Sequence, residues 1–356
     1  MSNRVTVFII DDSALMRREL KSIIDSDPDC RVIGSAVDGE EAIKKIQSLN
    51  PDVVTLDINL PGMDGLTCLQ HIMLTSPRPC VMISAYTGND AVETFEALEL
   101  GAIDFVQKPS GEISRDINRV ANEICRKIKT AAVANLGVIR PQTSGALVAG
   151  TSDMPHLGDI PKAAVVIGVS TGGPRTLMQI IPFLPEDIGV PVLIVQHMPP
   201  KFTASFANRL DQHSRMFVKE AEDKEPILDN VVYVAPGGFN LTLTKDHRGV
   251  YALLTRPPEG QIVTPLVEET LRTAIDVFGK KIVGVILTGM GNDGTLGMQR
   301  LFEIGGETIA ESEETAVIYG MPKEVIKKGA AKQIVPSHGM DKAIVASVKK
   351  ITRGTA

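Results

Sequence analysis

Three side chains suited to acyl chemistry follow three apolar segments in the second half of the chain. Ser170 lies in Gly168–Gly172 (GVSTG), a G-x-S-x-G pattern that places a serine on a tight strand-to-helix turn. His197 and Asp293 each follow another apolar run. A serine nucleophile needs a base that takes its proton and an acid that orients the base. Because the carboxyl ends of parallel strands meet at one edge of a sheet, the three residues together indicate a serine hydrolase.

Each of these residues also has a plainer interpretation. A glycine-rich turn between a strand and a helix can bind a phosphate, although this turn is not G-x-G-x-x-G and no Walker lysine follows it. A histidine beyond a strand is often a loop or capping residue, and Asp293 precedes a segment whose helix it could cap. The order Ser…His…Asp differs from the Ser…Asp…His of α/β-hydrolases. Only the presence of all three residues at strand ends favours a hydrolase over these plainer interpretations.

A second set of polar residues ends the apolar segments of the first third of the chain. Asp11 and Asp12 follow the first segment, Asp57 ends the third, Ser84 ends the fourth and Lys108 follows the fifth. Taken singly, these are ordinary turn residues and a surface charge. Carboxylates gathered at one sheet edge repel each other unless a cation lies among them, and Mg²⁺ prefers such oxygen ligands. A lysine and a hydroxyl beside them suit a phosphoryl group.

The elements that position the second set alternate between apolar strands and amphipathic helices such as Glu40–Leu49. This alternation predicts a doubly wound parallel sheet of the flavodoxin type. The predicted strands are Thr6–Ile10, Arg31–Ala36, Val53–Leu56, Cys80–Ser84 and Asp104–Val106.

The same alternation resumes after Pro161 and predicts a second, Rossmann-like parallel sheet, with helices after Gly173, Pro200, Pro265 and Asp293. Tyr251–Thr255 is predicted as an antiparallel strand near Val231–Val234. The other predicted strands are Ala163–Ile167, Pro191–Val195, Val231–Val234, Lys281–Leu287 and Thr308–Ala310. The fold class is therefore α/β, with domains at residues 1–125 and 161–353 and a linker, rich in Gly, Ser, Thr and Pro in its later part, at 126–160.

Composition limits the class of protein. The length of 356 residues suits two domains, and 43% hydrophobic with 22% charged residues is typical of soluble globular proteins. A net charge of −6 argues against a nucleic-acid surface, and no basic recognition helix follows the linker. No apolar run is long enough to span a bilayer or to act as a signal peptide, so we expect a cytoplasmic protein. The four cysteines form no CxxC pair, which favours reduced structural thiols.

Residues 4 to about 125 resemble the response-regulator receiver domain. The motifs that carry the resemblance are Asp11-Asp12-Ser13, Asp57 with Leu60–Gly65, Ser84-Ala85 and Gly101–Pro109. The resemblance implies that Asp57 is phosphorylated by a histidine kinase of chemotaxis, that Ser84 and Lys108 contact the phosphoryl group, and that Phe105 is the switch aromatic residue. It assigns the Mg²⁺ ligands to Asp11, Asp12, Asp57 and the Asn59 carbonyl.

Residues from about 163 to 351 resemble the chemotaxis protein-glutamate methylesterases. The motifs are Gly168–Pro174, Gln196–Pro199 with Phe202-Thr203, Val234–Gly238, Leu287–Gly294, and Ala310-Glu311 with Tyr319–Pro322. The resemblance implies hydrolysis of glutamate methyl esters on the cytoplasmic helices of chemoreceptors, with release of methanol, and deamidation of receptor glutamines. Ser170 would be the nucleophile, His197 the base and Asp293 its orienting acid, with Thr171 and the Met290 N–H supporting the oxyanion. No cofactor is expected in this domain.

Two places depart from the pattern of the family. Asn240 stands where the family usually has a histidine, and in Pro265–Leu271 the residues Glu268 and Leu271 stand where it tends to have an aspartate and a phenylalanine. Both lie outside the three catalytic candidates, so they bear on substrate specificity more than on hydrolysis. The architecture further suggests that the unphosphorylated receiver inhibits the effector. The alternative is a response regulator whose effector domain binds a partner or nucleotide through its glycine-rich turn and has no catalytic activity.

Overall fold

The structure is a computed structural model that describes residues 4–84, 88–108, 117–139, 160–259, 261 and 263–353. The chain divides into two compact units, Met1–Thr143 and Ser144–Ala356. Each unit is built around a parallel sheet, as the sequence predicts.

The sheet of the first unit has five strands. They are β1 (Val5–Ile10), β2 (Cys30–Ala36), β3 (Val53–Asp57), β4 (Cys80–Ser84) and β5 (Asp104–Gln107). All are parallel, in the order β2-β1-β3-β4-β5 of flavodoxin-like folds. The central strands β3 and β4 are buried along their whole length, because helices cover both faces of such a sheet. The five predicted strands are confirmed to within one residue at each end.

The helices of this unit follow its strands in turn. They are α1 (Ala14–Ser26), α2 (Gly39–Leu49), α3 (Gly65–Thr75), α4 (Gly88–Leu100) and α5 (Ile117–Ala132). The first three begin after Ser13, Asp38 and Asp64, whose side chains accept a backbone N–H of the first helical turn.

The predicted linker at residues 126–160 begins inside α5. A short 3₁₀ turn at Leu136–Val138 follows the helix, and residues 140–159 lie outside the described residues. The domain limits of 1–125 and 161–353 therefore stay a prediction.

The sheet of the second unit has seven strands. They are β6 (Ala164–Val169), β7 (Val192–Gln196), β8 (Phe217–Glu220), β9 (Val231–Val234), β12 (Ile282–Ile286), β13 (Glu307–Glu311) and β14 (Gln333–Val335). All are parallel, in the order β14-β13-β12-β6-β7-β9-β8. The five predicted strands are confirmed to within two residues, whereas β8 and β14, at the two edges, were not predicted.

Helices separate most of these strands along the chain. They are α6 (Gly173–Ile180), α7 (Phe202–His213), α8 (Val267–Phe278), α9 (Thr295–Glu303), α10 (Met321–Lys327) and α11 (Ser337–Arg353). The first four are the helices that the sequence predicts, each beginning within two residues of the predicted position. None of the helices in the described part of the chain is long and apolar enough to cross a bilayer.

Two further strands, β10 (Asn240–Lys245) and β11 (Val250–Thr255), form an antiparallel hairpin outside the main sheet. The prediction for Tyr251–Thr255 was correct in its antiparallel direction but wrong in its partner, since β11 pairs with β10 and not with β9. Leu241 and Leu243 of the hairpin enter the same apolar core as Leu271 of α8. The hairpin thus packs beside α8, the helix that covers the strands bearing the candidate site.

Candidate functional site

The nucleophile candidate Ser170 follows β6 at the centre of the second sheet. Its N–H donates to the Thr288 carbonyl beyond β12 (2.9 Å), and its own carbonyl accepts from Gly173 N–H (2.8 Å). Gly172 has a φ of +80°, and a Cβ there would lie 2.7 Å from Cβ of Val317. Only glycine fits this turn without strain. The turn places Ser170 directly before α6, whose first N–H groups favour a developing negative charge.

His197 bridges the other two predicted catalytic residues. It follows β7, and its N–H extends the sheet by donating to the Val169 carbonyl (3.1 Å). Its Nδ1 lies 3.0 Å from Ser170 Oγ, and its Nε2 lies 2.7 Å from Asp293 Oδ2. With the proton on Nε2 donated to Asp293, the Nδ1 lone pair faces the serine hydroxyl, as a general base requires.

Asp293 is held by three donors. Besides His197, the backbone N–H groups of Val267 and Glu268 donate to its carboxylate, at 2.7 Å to Oδ2 and 3.0 Å to Oδ1. Burial alone would raise the pKa of Asp293, but the hydrogen bond from His197 and the two N–H groups hold the pKa below its ordinary value. The carboxylate is therefore charged at neutral pH and stabilises a protonated imidazole.

The predicted oxyanion residues lie on two loops beside Ser170. A Cβ on Gly289 would approach Cβ of Ser170 to 2.7 Å, so the loop carrying Met290 runs against the nucleophile. No acceptor among the described residues takes the Met290 N–H. Thr171 is buried, and its carbonyl accepts from the Thr288 hydroxyl (2.9 Å). The Thr171 backbone is therefore held beside the serine, and the loop that carries Met290 packs against it.

The sequence analysis placed Gln196 in a family motif but missed its role, which is to connect the nucleophile turn to the base. Its buried side chain donates from Nε2 to the carbonyls of Ser170 (3.0 Å) and His197 (3.1 Å). A Cβ on Gly173 would lie 2.1 Å from its Oε1, so the glycine leaves room for this amide. The signal in the sequence was a polar residue at the end of an otherwise apolar strand.

Sequence reasoning also missed the roles of Glu311 and Thr288. Glu311 ends β13, is fully buried, and accepts from Thr288 N–H (2.8 Å) and Thr315 hydroxyl (2.9 Å). Burial raises the pKa of Glu311 to about 7, although both hydrogen bonds favour its charged form. Since the Thr288 carbonyl in turn accepts from Ser170 N–H, this buried carboxyl lies directly behind the nucleophile turn.

The receiver unit brings its predicted carboxylates together. Asp11, Asp12 and Asp57 each offer a carboxylate oxygen, and these oxygens lie within 4.8 Å of one another. Lys108 Nζ donates to Asp57 Oδ2 (2.5 Å) and lies 3.2 Å from Asp11 Oδ2. Burial raises the pKa of Asp57, and Lys108 offsets part of that effect. This set of close oxygens, one of which is exposed to solvent on Asp12, fits a hard divalent cation such as Mg²⁺.

The other predicted receiver residues are Asn59, two residues beyond β3, Ser84 at the end of β4, and Phe105 within β5. Asn59 N–H donates to Asp57 Oδ1 (3.3 Å), and the buried Ser84 accepts from the Thr94 hydroxyl (3.2 Å). Phe105 is buried, with the Lys127 ammonium 4.9 Å from its ring centre.

The two departures from the family pattern both contact the start of α8. Asn240 Oδ1 accepts from Leu266 N–H (2.9 Å), while Glu268 lies in the first turn of the helix. Asn240 thus binds the N–H group that precedes the two bound by Asp293, and the backbone of Glu268 supplies one of those two.

Comparisons with known proteins identify both halves of the chain. A model of the CheB methylesterase family matches residues 165–344, and a model of the response regulator receiver domain matches residues 7–117. A protein-glutamate methylesterase/protein-glutamine glutaminase of Caldanaerobacter subterraneus subsp. tengcongensis is 44% identical, over 99% of each chain. The chain belongs to the CheB methylesterase family.

Another relative and a solved structure give the same result. A protein-glutamate methylesterase/protein-glutamine glutaminase of Carboxydothermus hydrogenoformans is 45% identical, over 98% of this chain and 100% of its own. The crystal structure of the Thermotoga maritima CheB methylesterase catalytic domain is 44% identical, with a TM-score of 0.51, and covers 52% of this chain and 99% of that one. The fold of the second unit is therefore that of a CheB catalytic domain.

Proposed function

We propose that the protein is a phosphorylation-regulated serine hydrolase that removes methyl groups from glutamate esters of chemoreceptors and deamidates receptor glutamines. The observation that carries the proposal is the chain of two hydrogen bonds from Ser170 Oγ through His197 to Asp293. The relatives that match almost the whole chain carry enzyme names, which gives the alternative of a non-catalytic effector no support.

The first half of the proposed reaction is acylation of the serine. Ser170 Oγ attacks the ester carbonyl while His197 Nδ1 takes the hydroxyl proton, and Asp293 stabilises the imidazolium so formed. The backbone N–H groups at Thr171 and Met290 stabilise the oxyanion of the tetrahedral intermediate. His197 then gives its proton to the departing methoxide, so methanol leaves and a glutamyl ester on Ser170 remains.

The second half is hydrolysis of the glutamyl ester. Water attacks its carbonyl, His197 accepts a proton from that water, and collapse of the second intermediate returns the proton to Ser170 Oγ. The product is a glutamate side chain. With a glutamine substrate the same steps release ammonia instead of methanol, because His197 protonates the departing amine.

The receiver domain, proposed at residues 1–125, supplies the phosphorylated residue, Asp57. Mg²⁺, when bound, neutralises charge on the incoming phosphoryl group. Its proposed ligands are Asp11, Asp12, Asp57 and the Asn59 carbonyl. Ser84 and Lys108 hold the phosphoryl oxygens, and Phe105 responds to that contact. The proposed phosphodonor is a chemotaxis histidine kinase, and the proposed compartment is the cytoplasm. The catalytic domain, proposed at 161–353, works without a cofactor.

The test of the proposal is release of methanol from membranes that contain methylated chemoreceptors. Ser170→Ala should lower the rate by at least about 10³-fold, because the nucleophile is lost while the rest of the site remains. Ser205→Ala, on α7, removes a serine hydroxyl from outside the site and should leave the rate unchanged. A Ser170→Ala protein with normal methanol release would exclude this residue as the nucleophile.

A further inference from the structure

Two helices beside the active site begin without a capping side chain of their own. The residue before α8 is Leu266 and the residue before α9 is Gly294, and neither provides a side-chain cap. The first N–H groups of a helix need acceptors, and leaving one buried and unpaired costs about 1–3 kcal/mol. The acceptors must therefore come from elsewhere in the fold.

Each helix takes its cap from the other. Asp293, just ahead of α9, accepts from the N–H groups of Val267 and Glu268 at the start of α8. Glu268, in the first turn of α8, accepts from the Gly297 N–H in the first turn of α9, at 3.0 Å to Oε2. Asp293 thus caps α8 and Glu268 caps α9, so the two carboxylates form a crossed pair.

The pKa values of the two carboxyl groups are shifted in opposite directions. Burial would raise the pKa of Asp293, but its donors outweigh burial and keep that pKa low, whereas burial and then the neighbouring Asp293 charge raise the pKa of Glu268. Asp293 also binds His197, but no hydrogen bond or ion pair within the described residues ties Glu268 to the serine or the histidine. Among the described residues, the Glu268 side chain is linked to His197 and Ser170 only through α9 and Asp293.

We infer that Glu268 is a positioning residue, whose carboxylate fixes the first turn of α9 and thereby the Asp293 carboxylate against His197. This inference rests on the proposed function of the site. A shift of about 1 Å in a catalytic group can lower a rate by about 10²-fold, so a residue that acts through Asp293 affects turnover more than substrate binding. The same position carries one of the two departures from the family pattern.

The chain offers a matched control in the next residue. Glu269 lies in the same helical turn, but its carboxylate pairs with Arg272 at the surface (2.8 Å). Replacing Glu269 by alanine removes the same side chain from the same helix without touching α9. Glu268→Gln keeps an oxygen that can accept from Gly297 N–H and removes only the charge.

The experiment measures kcat and KM of the full chain on a peptide that carries a glutamate γ-methyl ester. The number of active sites is counted by covalent labelling of Ser170, so that loss of folded protein does not count as loss of rate. Glu268→Ala should lower kcat per labelled site by about 10- to 100-fold with KM within about twofold. Glu268→Gln should keep at least about one third of kcat, and Glu269→Ala should match the wild type.

Two results would overturn the inference. One is a Glu268→Ala protein with the kcat of the wild type per labelled site, and the other is a Glu268→Gln protein as slow as Glu268→Ala. Ser170→Ala in the same assay separates this failure from that of the proposed function. If the wild type cleaves the peptide no faster than Ser170→Ala, the function fails; if it does cleave faster, the Glu268 variants decide the positioning role alone.

Discussion

The histidine in this site is defined by what its two nitrogens face. Nδ1 faces the serine hydroxyl and Nε2 faces the aspartate, at 3.0 and 2.7 Å. An anionic acceptor at Nε2 keeps the proton on that nitrogen and leaves Nδ1 free to accept the proton of Ser170. The charge of Asp293 thus selects the tautomer that can act as a base.

The Asp293→Asn exchange should therefore remove activity while the fold survives. The amide that this exchange introduces would donate to Nε2, which moves the histidine proton to Nδ1 and blocks proton transfer from Ser170. The new side chain still offers one oxygen to the N–H groups of Val267 and Glu268. We expect kcat to fall by roughly 10⁴-fold, measured as methanol release. A loss of less than about tenfold would contradict a role for the Asp293 charge in setting the tautomer.

In the receiver unit, Asp57 is the residue expected to take the phosphoryl group. Asp57→Asn removes the carboxylate that would attack a phosphoryl donor, so we expect no labelling by a small phosphodonor with Mg²⁺. Asp64→Asn is the matched control, because asparagine caps a helix as well as aspartate and Asp64 caps α3 after the same strand. Acid-stable labelling of Asp57→Asn at the level of the wild type would rule out Asp57 as the phosphorylated residue.

The residues that the sequence identified are those at the ends of apolar strands. Ser170, His197 and Asp293 stand where a parallel sheet exposes its carboxyl edge, so pattern and topology suggested them as a group, and the family resemblance was needed to assign their roles. Gln196 and Glu311 stand at strand ends too, but their roles depend on partners far away in the chain, such as Thr288. Those partners become visible only when the strands are in register.

At the scale of elements, the site lies where the direction of the strand order changes. From β6 the chain moves outward through β7 to the edge strand β8 and fills the place between them with β9; it then crosses to β12 on the other side of β6 and moves outward again through β13 to β14. Ser170 and Asp293 follow the two strands that flank this change, and His197 follows the neighbour of one of them. Ligand sites of open α/β sheets lie at such a switch point, which here falls between β6 and β12.

The strands that the sequence did not predict are short or lie outside the main sheet. β14 has three residues of mixed polarity at an edge, and its apolar Ile334 is exposed, so it has no buried run to recognise. β10 does alternate, as Asn240–Lys245 shows, but a strand pattern does not name its partner. That is why Tyr251–Thr255 was assigned to the wrong neighbour.

The buried carboxyl at the end of β13 makes the stability of the second unit depend on pH. The ordinary pKa of glutamate is 4.5, and burial raises the pKa of Glu311 to about 7. Between these values the folded protein keeps a proton that the unfolded chain has lost. The stability that this proton provides is complete below pH 4.5 and is lost as the pH rises to about 7, by about 3 kcal/mol in the free energy of unfolding.

Glu311→Gln should flatten this dependence, because glutamine imitates the protonated carboxyl and still accepts from Thr288 N–H. The measurement is thermal unfolding of the full chain between pH 5 and 8, as the difference between variant and wild type. Glu307→Gln, at the other end of β13, is the control. Burial would raise the pKa of Glu307, but Lys350 and Lys332 hold that pKa below 4.5. The stability that the Glu307 charge contributes is therefore complete between pH 5 and 8 and is lost only below pH 4.5, so the difference between Glu307→Gln and the wild type should stay constant over the measured range. If Glu311→Gln follows the wild type at every pH, Glu311 does not carry the dependence.

At the scale of the whole molecule, regulation requires that phosphorylation of the receiver unit shift an equilibrium between inhibited and active forms of the effector unit. A phosphoryl group adds about −1.5 to −2 charges at Asp57, close to Lys108 and the two other carboxylates. Moving an equilibrium between inhibited and active forms from 1:99 to 99:1 takes about 5.5 kcal/mol. One phosphorylated side chain makes about one to three charge-assisted hydrogen bonds, so partial activation is the expected response.

Removal of residues 1–150 tests whether the receiver inhibits the effector. The Thermotoga maritima catalytic domain was crystallised, and it aligns with this chain over 99% of its length at 44% identity. The effector that remains after the deletion is therefore expected to fold. Its rate of methanol release should exceed that of the unphosphorylated full chain, with the phosphorylated full chain between the two, because a partial shift leaves some molecules inhibited. Asp57→Asn with phosphodonor should stay at the unphosphorylated rate. An isolated effector no faster than the unphosphorylated full chain would show that the receiver does not inhibit, and any effect of phosphorylation would then have to be direct activation.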